Sequence, residues 1–349
     1  MENRFRRILV RATNWVGDAV MSLPALQALR EHNSQTRISI LARPWVAGLY
    51  GRESFCDELI PYDAPRGWKG LAEKRRVAAQ LRARKFDCAV LLQNAFEAAA
   101  LVRWAGIPIR IGYDRDARGW LLTHPIPLPQ SAEIPRHQRF YYLELLKRAK
   151  LISGYDTHKP IRLGDSAGAA ERGRARLREA GIEGPVLGVS PGAAYGGAKR
   201  WLPERFAEAG VRLARERGAE IAVFGSQEEA GICEMVCQEI SRGGVSCHNF
   251  AGATPLEHFV EMAAACELFL TNDSGAMHIS SALGIPTVVV FGATDDEATG
   301  PTGSWSRVVR HPVECSPCLL RECPIDHRCM TGVTASQVVD AAHGLVTIK

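Results

Sequence analysis

The sequence has no apolar run approaching the roughly 20 residues needed to span a bilayer. It also lacks the short apolar core of a secretory signal, since Met1-Glu-Asn-Arg-Phe-Arg-Arg7 leads straight into a strand pattern. These two absences predict a protein made and kept in the cytoplasm. No G-x-G-x-x-G is present, which counts against a simple NAD enzyme, and no G-x-x-x-x-G-K-[ST], which counts against a P-loop NTPase. No short repeat and no nucleic-acid-binding motif is visible.

What is present reads as two soluble domains. The 349 residues are 46% hydrophobic and 23% charged, ordinary values for a globular protein. The net charge of +5 hides an asymmetry. Residues 1–165 hold 27 Lys+Arg against 16 Asp+Glu, a net of +11, whereas residues 166–349 hold 16 against 22, a net of −6. A basic half predicts an anionic partner for that half.

Strands and helices alternate in both halves. In the first, Arg7–Arg11, Arg37–Leu41, Asp57–Ile60, Asp87–Leu92 and Ile107–Ile111 read as strands; Ala19–Glu31, Leu71–Lys85, Phe96–Trp104 and Gln138–Lys150 read as helices. Gly112 to Arg136 reads as loop and 153–165 as linker. The alternation restarts with a helix over Ala167–Ala180 and strands at Pro185–Ser190 and Glu220–Phe224. This pattern predicts α/β architecture, with two Rossmann-like doubly wound domains, 1–165 and 166–349, facing a central cleft. The C-terminal helix could pack back on the first domain.

The second half is organised around Leu270-Thr-Asn-Asp-Ser-Gly-Ala-Met-His-Ile279, a polar turn between an apolar strand and a helix. Asp273 or Ser274 can cap that helix, and Gly275 lets backbone approach a ligand. The free first-turn amides and the helix dipole then face an anion, a phosphate or diphosphate, with His278 one turn in as a further donor. The plain alternative is an ordinary capped helix with a core-facing histidine. Two more strand-end loops converge on the same edge: Ser190-Pro-Gly-Ala-Ala-Tyr-Gly-Gly-Ala-Lys199-Arg200-Trp201 and Gly225-Ser-Gln-Glu-Glu229.

Three of these stretches carry a family resemblance: Asn14-Trp-Val-Gly-Asp18, Pro191-Gly-Ala with Ala198-Lys199-Arg200-Trp201 and Pro203 (Leu202 inserted before the proline), and Thr271-Asn-Asp-Ser-Gly-Ala-Met-His278. The chain resembles, over nearly its whole length, the ADP-heptose:lipopolysaccharide heptosyltransferases of glycosyltransferase family 9, which have the GT-B fold. The segment around Cys315-Ser-Pro-Cys318 looks like the type II members. The resemblance implies inverting transfer of heptose from an ADP-heptose donor, held by the second domain, to the first heptose of a lipid A–Kdo acceptor, held by the first. It also implies a monomer working peripherally at the inner face of the cytoplasmic membrane. A type I enzyme or another nucleotide-sugar transferase of the family is the near alternative. A nucleotide-sugar epimerase of GT-B fold, or a non-catalytic nucleotide-sugar-binding protein, is the distant one.

Inversion in one displacement needs a base on the acceptor hydroxyl. Asp18 resembles the family's base; its plain alternative is a helix N-cap. The departing ADP needs fixed positive charge, for which Lys199 is the candidate, with the amides of Ser274, Gly275, Met277 and His278 on the diphosphate. A site so built needs no cofactor and no catalytic metal. Asp273 would orient the donor sugar or cap the helix, and Glu228, slightly ahead of Glu229, would accept from ribose hydroxyls. The acceptor candidates are Arg66 and Lys69 in one loop, Arg115 and Arg118 in a second, and Arg136, His137 and Arg139 in a third, because arginine holds carboxylate and phosphate through a planar fork. Of ten cysteines, Cys56, Cys88, Cys233, Cys237, Cys247 and Cys266 read as buried thiols. Cys315, Cys318, Cys323 and Cys329 leave three readings open: structural zinc, disulfides or free thiols.

Overall fold

The computed structural model describes residues 5–65 and 67–346. The chain divides into two compact units, one ending at Lys159 and the next beginning at Pro160.

The first unit runs β1 (Arg7–Arg11), α1 (Val16–His32), β2 (Arg37–Ala42), α2 (Pro44–Tyr50), β3 (Glu58–Pro61), α3 (Leu71–Ala83), β4 (Cys88–Leu91), α4 (Phe96–Trp104), β5 (Ile109–Tyr113), β6 (His124–Ile126) and α5 (Arg139–Arg148). Its six parallel strands lie in the order β3-β2-β1-β4-β5-β6. β4 is buried at every residue, as a central parallel strand covered on both faces must be, which explains its unbroken apolar text. Leu9, Leu41, Leu91, Val77, Leu81 and Val102 fill one face of this sheet. The expected loop over 112–136 contains β6, a strand of three residues that its prolines hide. α1 continues through Pro24, with the helix hydrogen bond that Pro24 cannot donate left out.

The second unit runs α6 (Ser166–Glu179), β7 (Val186–Ser190), α7 (Pro203–Arg217), β8 (Glu220–Val223), α8 (Ala230–Arg242), β9 (Cys247–Asn249), α9 (Leu256–Ala264), β10 (Leu268–Asn272), α10 (Gly275–Leu283), β11 (Thr287–Phe291), α11 (Asp296–Thr299), β12 (Ser306–Arg310), α12 (Arg328–Thr331) and α13 (Ala335–Val346). Its strands, again parallel, lie in the order β12-β11-β10-β7-β8-β9. Numbered within the unit, that is the same doubly wound order as in the first sheet. Each sheet therefore reverses direction once, between β1 and β4 and between β7 and β10, and such switch points are where open parallel sheets bind ligands.

The division between the units falls earlier than the expected 165/166. The second unit starts before residue 166 because its lead-in is tied to it: Ile161 N–H donates to Thr302 Oγ1 at 2.9 Å and Leu163 N–H to the Ala282 carbonyl at 3.0 Å. Val338, Val339 and Ala342 of the C-terminal helix α13 join the second unit's core with Phe206, Leu270 and Val288. Cys237 and Cys247, expected as thiols, form a disulfide with Cα atoms 5.7 Å apart, linking α8 to β9.

α6 meets α9 through Gly173, where an added Cβ would stand 1.9 Å from the Glu261 carbonyl oxygen. The buried Glu261 side chain accepts from Arg172 Nε at 2.7 Å and Arg176 Nε at 2.6 Å, so that helix pair is pinned in register. Gly173→Ala is accordingly expected to cost about 1–3 kcal/mol of stability, the usual penalty for overpacking. Urea unfolding of the two proteins checks it, and equal midpoints would show that the helices part freely.

Candidate active site

In the second unit the chemistry gathers at the carboxyl ends of β7 and β10. Asn272, the last residue of β10, is fully buried and holds the loop after β7 at two places. Its Nδ2 donates to the Pro191 carbonyl at 2.7 Å, and its Oδ1 accepts from the Trp201 N–H at 3.0 Å. Trp201 is itself buried, with its indole N–H on the Val333 carbonyl at 3.0 Å. Between those anchors the loop presents Lys199 in a single 3-10 turn, Gly197–Lys199.

Lys199 Nζ donates to Asp273 Oδ2 at 2.5 Å and stands 4.8 Å from the centre of the Tyr195 ring. The same carboxylate oxygen accepts from Thr294 Oγ1 at 2.6 Å. Thr294 lies in the loop after β11, so Asp273 joins three strand ends. Asp273 does not cap α10; Ser274 is the N-cap, and its side chain takes no bond from the first-turn amides. Its hydroxyl lies 3.2 Å from Thr271 Oγ1 instead. The amide end of a nine-residue helix and an ammonium group thus stand at one switch point, an arrangement suited to a diphosphate. Met277 is not at this surface. It is buried against Val289 and Phe291, and a first-turn residue contributes only its backbone to an anion in any case. His278 is buried as well.

The Gly225 loop separates its two glutamates. Glu229 forms a capping box with Ser226, accepting from the Ser226 N–H at 2.8 Å, and fills the space beside Gly192. Glu228 is exposed, and its own backbone N–H and the Ser226 hydroxyl hold its carboxyl below the usual range.

In the first unit Asp18 is the third residue of α1, not its cap, which is Trp15. Its Oδ1 accepts from the Tyr142 hydroxyl at 3.3 Å. Burial, and then the charge of Asp18, raises the Tyr142 phenol well above its ordinary value. Tyr142 therefore stays protonated and can only donate to the carboxylate. The loop between β1 and α1 is fixed by Arg11, whose buried guanidinium donates to the Ala12 carbonyl at 2.8 Å and to Asn14 Oδ1 at 3.0 Å. Burial, and then Arg43, lower the Arg11 pKa to about 10, still high enough to keep it charged at neutral pH.

A family model described as "Glycosyltransferase family 9 (heptosyltransferase)" matches residues 74–328, well over half of the chain. The chain belongs to glycosyltransferase family 9. Lipopolysaccharide heptosyltransferase 2 of Salmonella typhimurium is 30% identical to it over 98% of this chain and 99% of its own length. The Escherichia coli protein of that name is 32% identical over 87% of this chain and 88% of its own. The solved structure of E. coli ADP-heptose lps heptosyltransferase II is 27% identical and superposes with a TM-score of 0.81, covering 98% of both chains.

For a family 9 enzyme, the basic candidates fall into three groups. Arg115 and Arg136 are exposed, as is Lys69, and His137 is half-buried with its Nδ1 accepting from the Arg139 N–H at 3.1 Å. Arg118 and Arg139 are buried and committed to the fold. Arg118 donates to the Gln93 carbonyl, to Asn94 Oδ1 at 2.7 Å and to the Tyr113 carbonyl at 3.2 Å; Arg139 donates to the carbonyls of Thr157 at 2.7 Å and Lys159 at 3.0 Å. Neither presents a free fork to an acceptor. Arg66 lies outside the described residues. Among the described residues no group of three or more His, Cys, Asp or Glu is placed to hold a metal ion, and Cys315, Cys318, Cys323 and Cys329 form no disulfide.

Asn272, Thr294, Tyr142 and Arg11 had been given no role from the sequence. Asn272 stands inside a stretch singled out there, and an otherwise buried strand ending in asparagine was the available signal. Tyr142 and Arg11 left no such mark.

Proposed function

We propose that this protein transfers heptose, with inversion, from ADP-heptose to the first heptose of the lipid A–Kdo inner core in lipopolysaccharide biosynthesis. Asp18 takes the proton of the acceptor hydroxyl. That oxygen attacks the anomeric carbon as the bond to ADP breaks on the opposite face. Lys199 and the amide end of α10 receive the charge that develops on the departing diphosphate, so the transfer needs no metal ion. Asp273 keeps Lys199 turned toward the switch point in the empty enzyme and orients the donor sugar in the loaded one. Glu228 serves the ribose. The observation that carries the reading is the Lys199–Asp273 pair beside an amide end that its N-cap residue, Ser274, does not cap through its side chain. Incubation with ADP-heptose and a heptose-terminated core acceptor, followed by mass measurement, tests it. One added heptose residue and one equivalent of free ADP is the expected result, and donor hydrolysis with an unmodified acceptor would reject it.

The acceptor brings carboxylates and phosphates to an anionic membrane surface, and the protein works there peripherally, as a monomer. No helix among the described residues is long and apolar enough to cross a membrane. Exposed cations that steer an anion act through a field screened beyond roughly 8 Å at physiological salt. Neutralising Lys69, Arg115 and Arg136 together is therefore expected to raise acceptor KM several-fold, more at low salt than at high, and to leave ADP binding alone. Acceptor kinetics at two salt concentrations check this, with calorimetry for ADP. An unmoved KM would make these residues ordinary surface charge.

A further inference from the structure

The cysteine-rich segment is the one motif that the transfer chemistry leaves unused, and it lies along the loop that carries Lys199. The Tyr195 hydroxyl donates to the Leu319 carbonyl at 2.8 Å, and the Ala198 N–H to the Arg321 carbonyl at 2.9 Å. Glu322 Oε1 accepts from the Gly197 N–H at 2.9 Å. His327 Nε2 is 3.0 Å from the Ala198 carbonyl, which can only accept, so that nitrogen carries the ring proton. Both glycines of the turn are filled by the same segment: an added Cβ at Gly196 would stand 2.2 Å from the Arg321 carbonyl oxygen, and one at Gly197 2.4 Å from Glu322 Oε2.

The segment is moored at its other end to the loop behind Asp273. Ser316 Oγ donates to the Gly292 carbonyl at 2.6 Å and the Leu319 N–H to the Ala293 carbonyl at 2.8 Å, directly before Thr294, which bonds Asp273. A lysine side chain has many rotamers and a lone 3-10 turn is weakly self-supporting. Asp273 fixes the tip of the side chain, and the backbone from which it reaches is set by whatever fixes residues 197 and 198.

We propose that residues 319–327 form a strap that positions Lys199, with Glu322 and His327 as positioning residues acting through the backbone of Gly197 and Ala198. The proposal rests on the reading of Lys199 as the cation for the leaving diphosphate. The strap itself touches no substrate.

Glu322→Ala and His327→Ala are expected to lower kcat and ADP affinity roughly five- to ten-fold each, the scale of one charge-assisted or neutral hydrogen bond lost at a partly exposed site. Acceptor KM should stay in place. Glu322→Gln keeps an acceptor oxygen for Gly197 and should behave as the parent. The deciding readout is a double-mutant cycle: with Lys199→Ala already made, Glu322→Ala should cause no further loss in kcat, because nothing is left to position. A purely structural strap would instead lower the melting midpoint and add its full loss in both backgrounds, which would overturn the proposal. Strap variants with parental kcat and ADP affinity, beside an impaired Lys199→Ala, would overturn it and leave the role of Lys199 standing. An unimpaired Lys199→Ala would remove both.

Discussion

An Asp18→Asn enzyme is expected to lose roughly 10²-fold or more in kcat, the usual contribution of a general base, while its affinity for ADP stays as it was. The amide is nearly isosteric and can still accept from the Tyr142 hydroxyl, so the packing between α1 and α5 should persist. What it loses is the ability to take a proton. Steady-state kinetics with saturating acceptor, alongside calorimetry for ADP, separate the two effects. Near-parental turnover would remove Asp18 as the base. A parallel loss of ADP affinity would mean that the substitution disturbs more than proton transfer. Tyr142→Phe is a useful companion: it removes the donor, leaves the carboxylate, and should reduce turnover far less.

Lys199→Ala is expected to be nearly as severe and to differ in kind. Removing one donor aimed at developing negative charge costs roughly 10²–10³ in kcat where such donors are preorganised. ADP affinity should fall too, since the ground-state diphosphate already carries charge. The substitution also leaves Asp273, only 5% exposed, with the Thr294 hydroxyl but no cation. Breaking a buried pair from one side costs roughly 3–5 kcal/mol, and partial solvent access at Lys199 puts this one at or below the lower end. A melting curve should therefore move down as the rate does, and kinetics belong well below the new midpoint. Chelation by EDTA should leave the parent's activity intact. Activity restored only by added Mg²⁺ would show that the diphosphate charge is neutralised by other means.

How far the sequence reveals this enzyme depends on the range of the interactions. Strands buried on both faces are long apolar runs, so β1, β4, β7, β10 and β11 stand out, whereas β6, β9 and β12 are short or half-polar and do not. Lys199, Asp273 and Ser274 lie in strand-end turns whose residue types suit anions. Their partners lie far off in the chain: Asn272 reaches Trp201 across 71 positions, and Tyr142 reaches Asp18 across 124. No periodicity records such pairings. The arginines show the same limit at close quarters. Arg115 and Arg118 are three residues apart in one loop, yet the first is exposed and the second fully buried. Asp116 and Ala117 both take left-handed backbone, with φ of 55° and 53°, and the tight reversal between the two arginines turns the second inward. Loop residues carry no repeat from which that turn could be read.

The repeated strand order has a further consequence for how such a chain can change over time. Each unit owns a complete sheet, a core and a switch point, so each crevice can be remodelled without disturbing the hydrogen bonds that shape the other. The loops after β1 and β4 belong to the first unit, and the Lys199–Asp273–Thr294 arrangement belongs to the second. On the assignment proposed above, acceptor preference is therefore free to drift among descendants of this chain while the nucleotide end stays fixed, giving a lineage of enzymes that share one donor and differ in what they decorate.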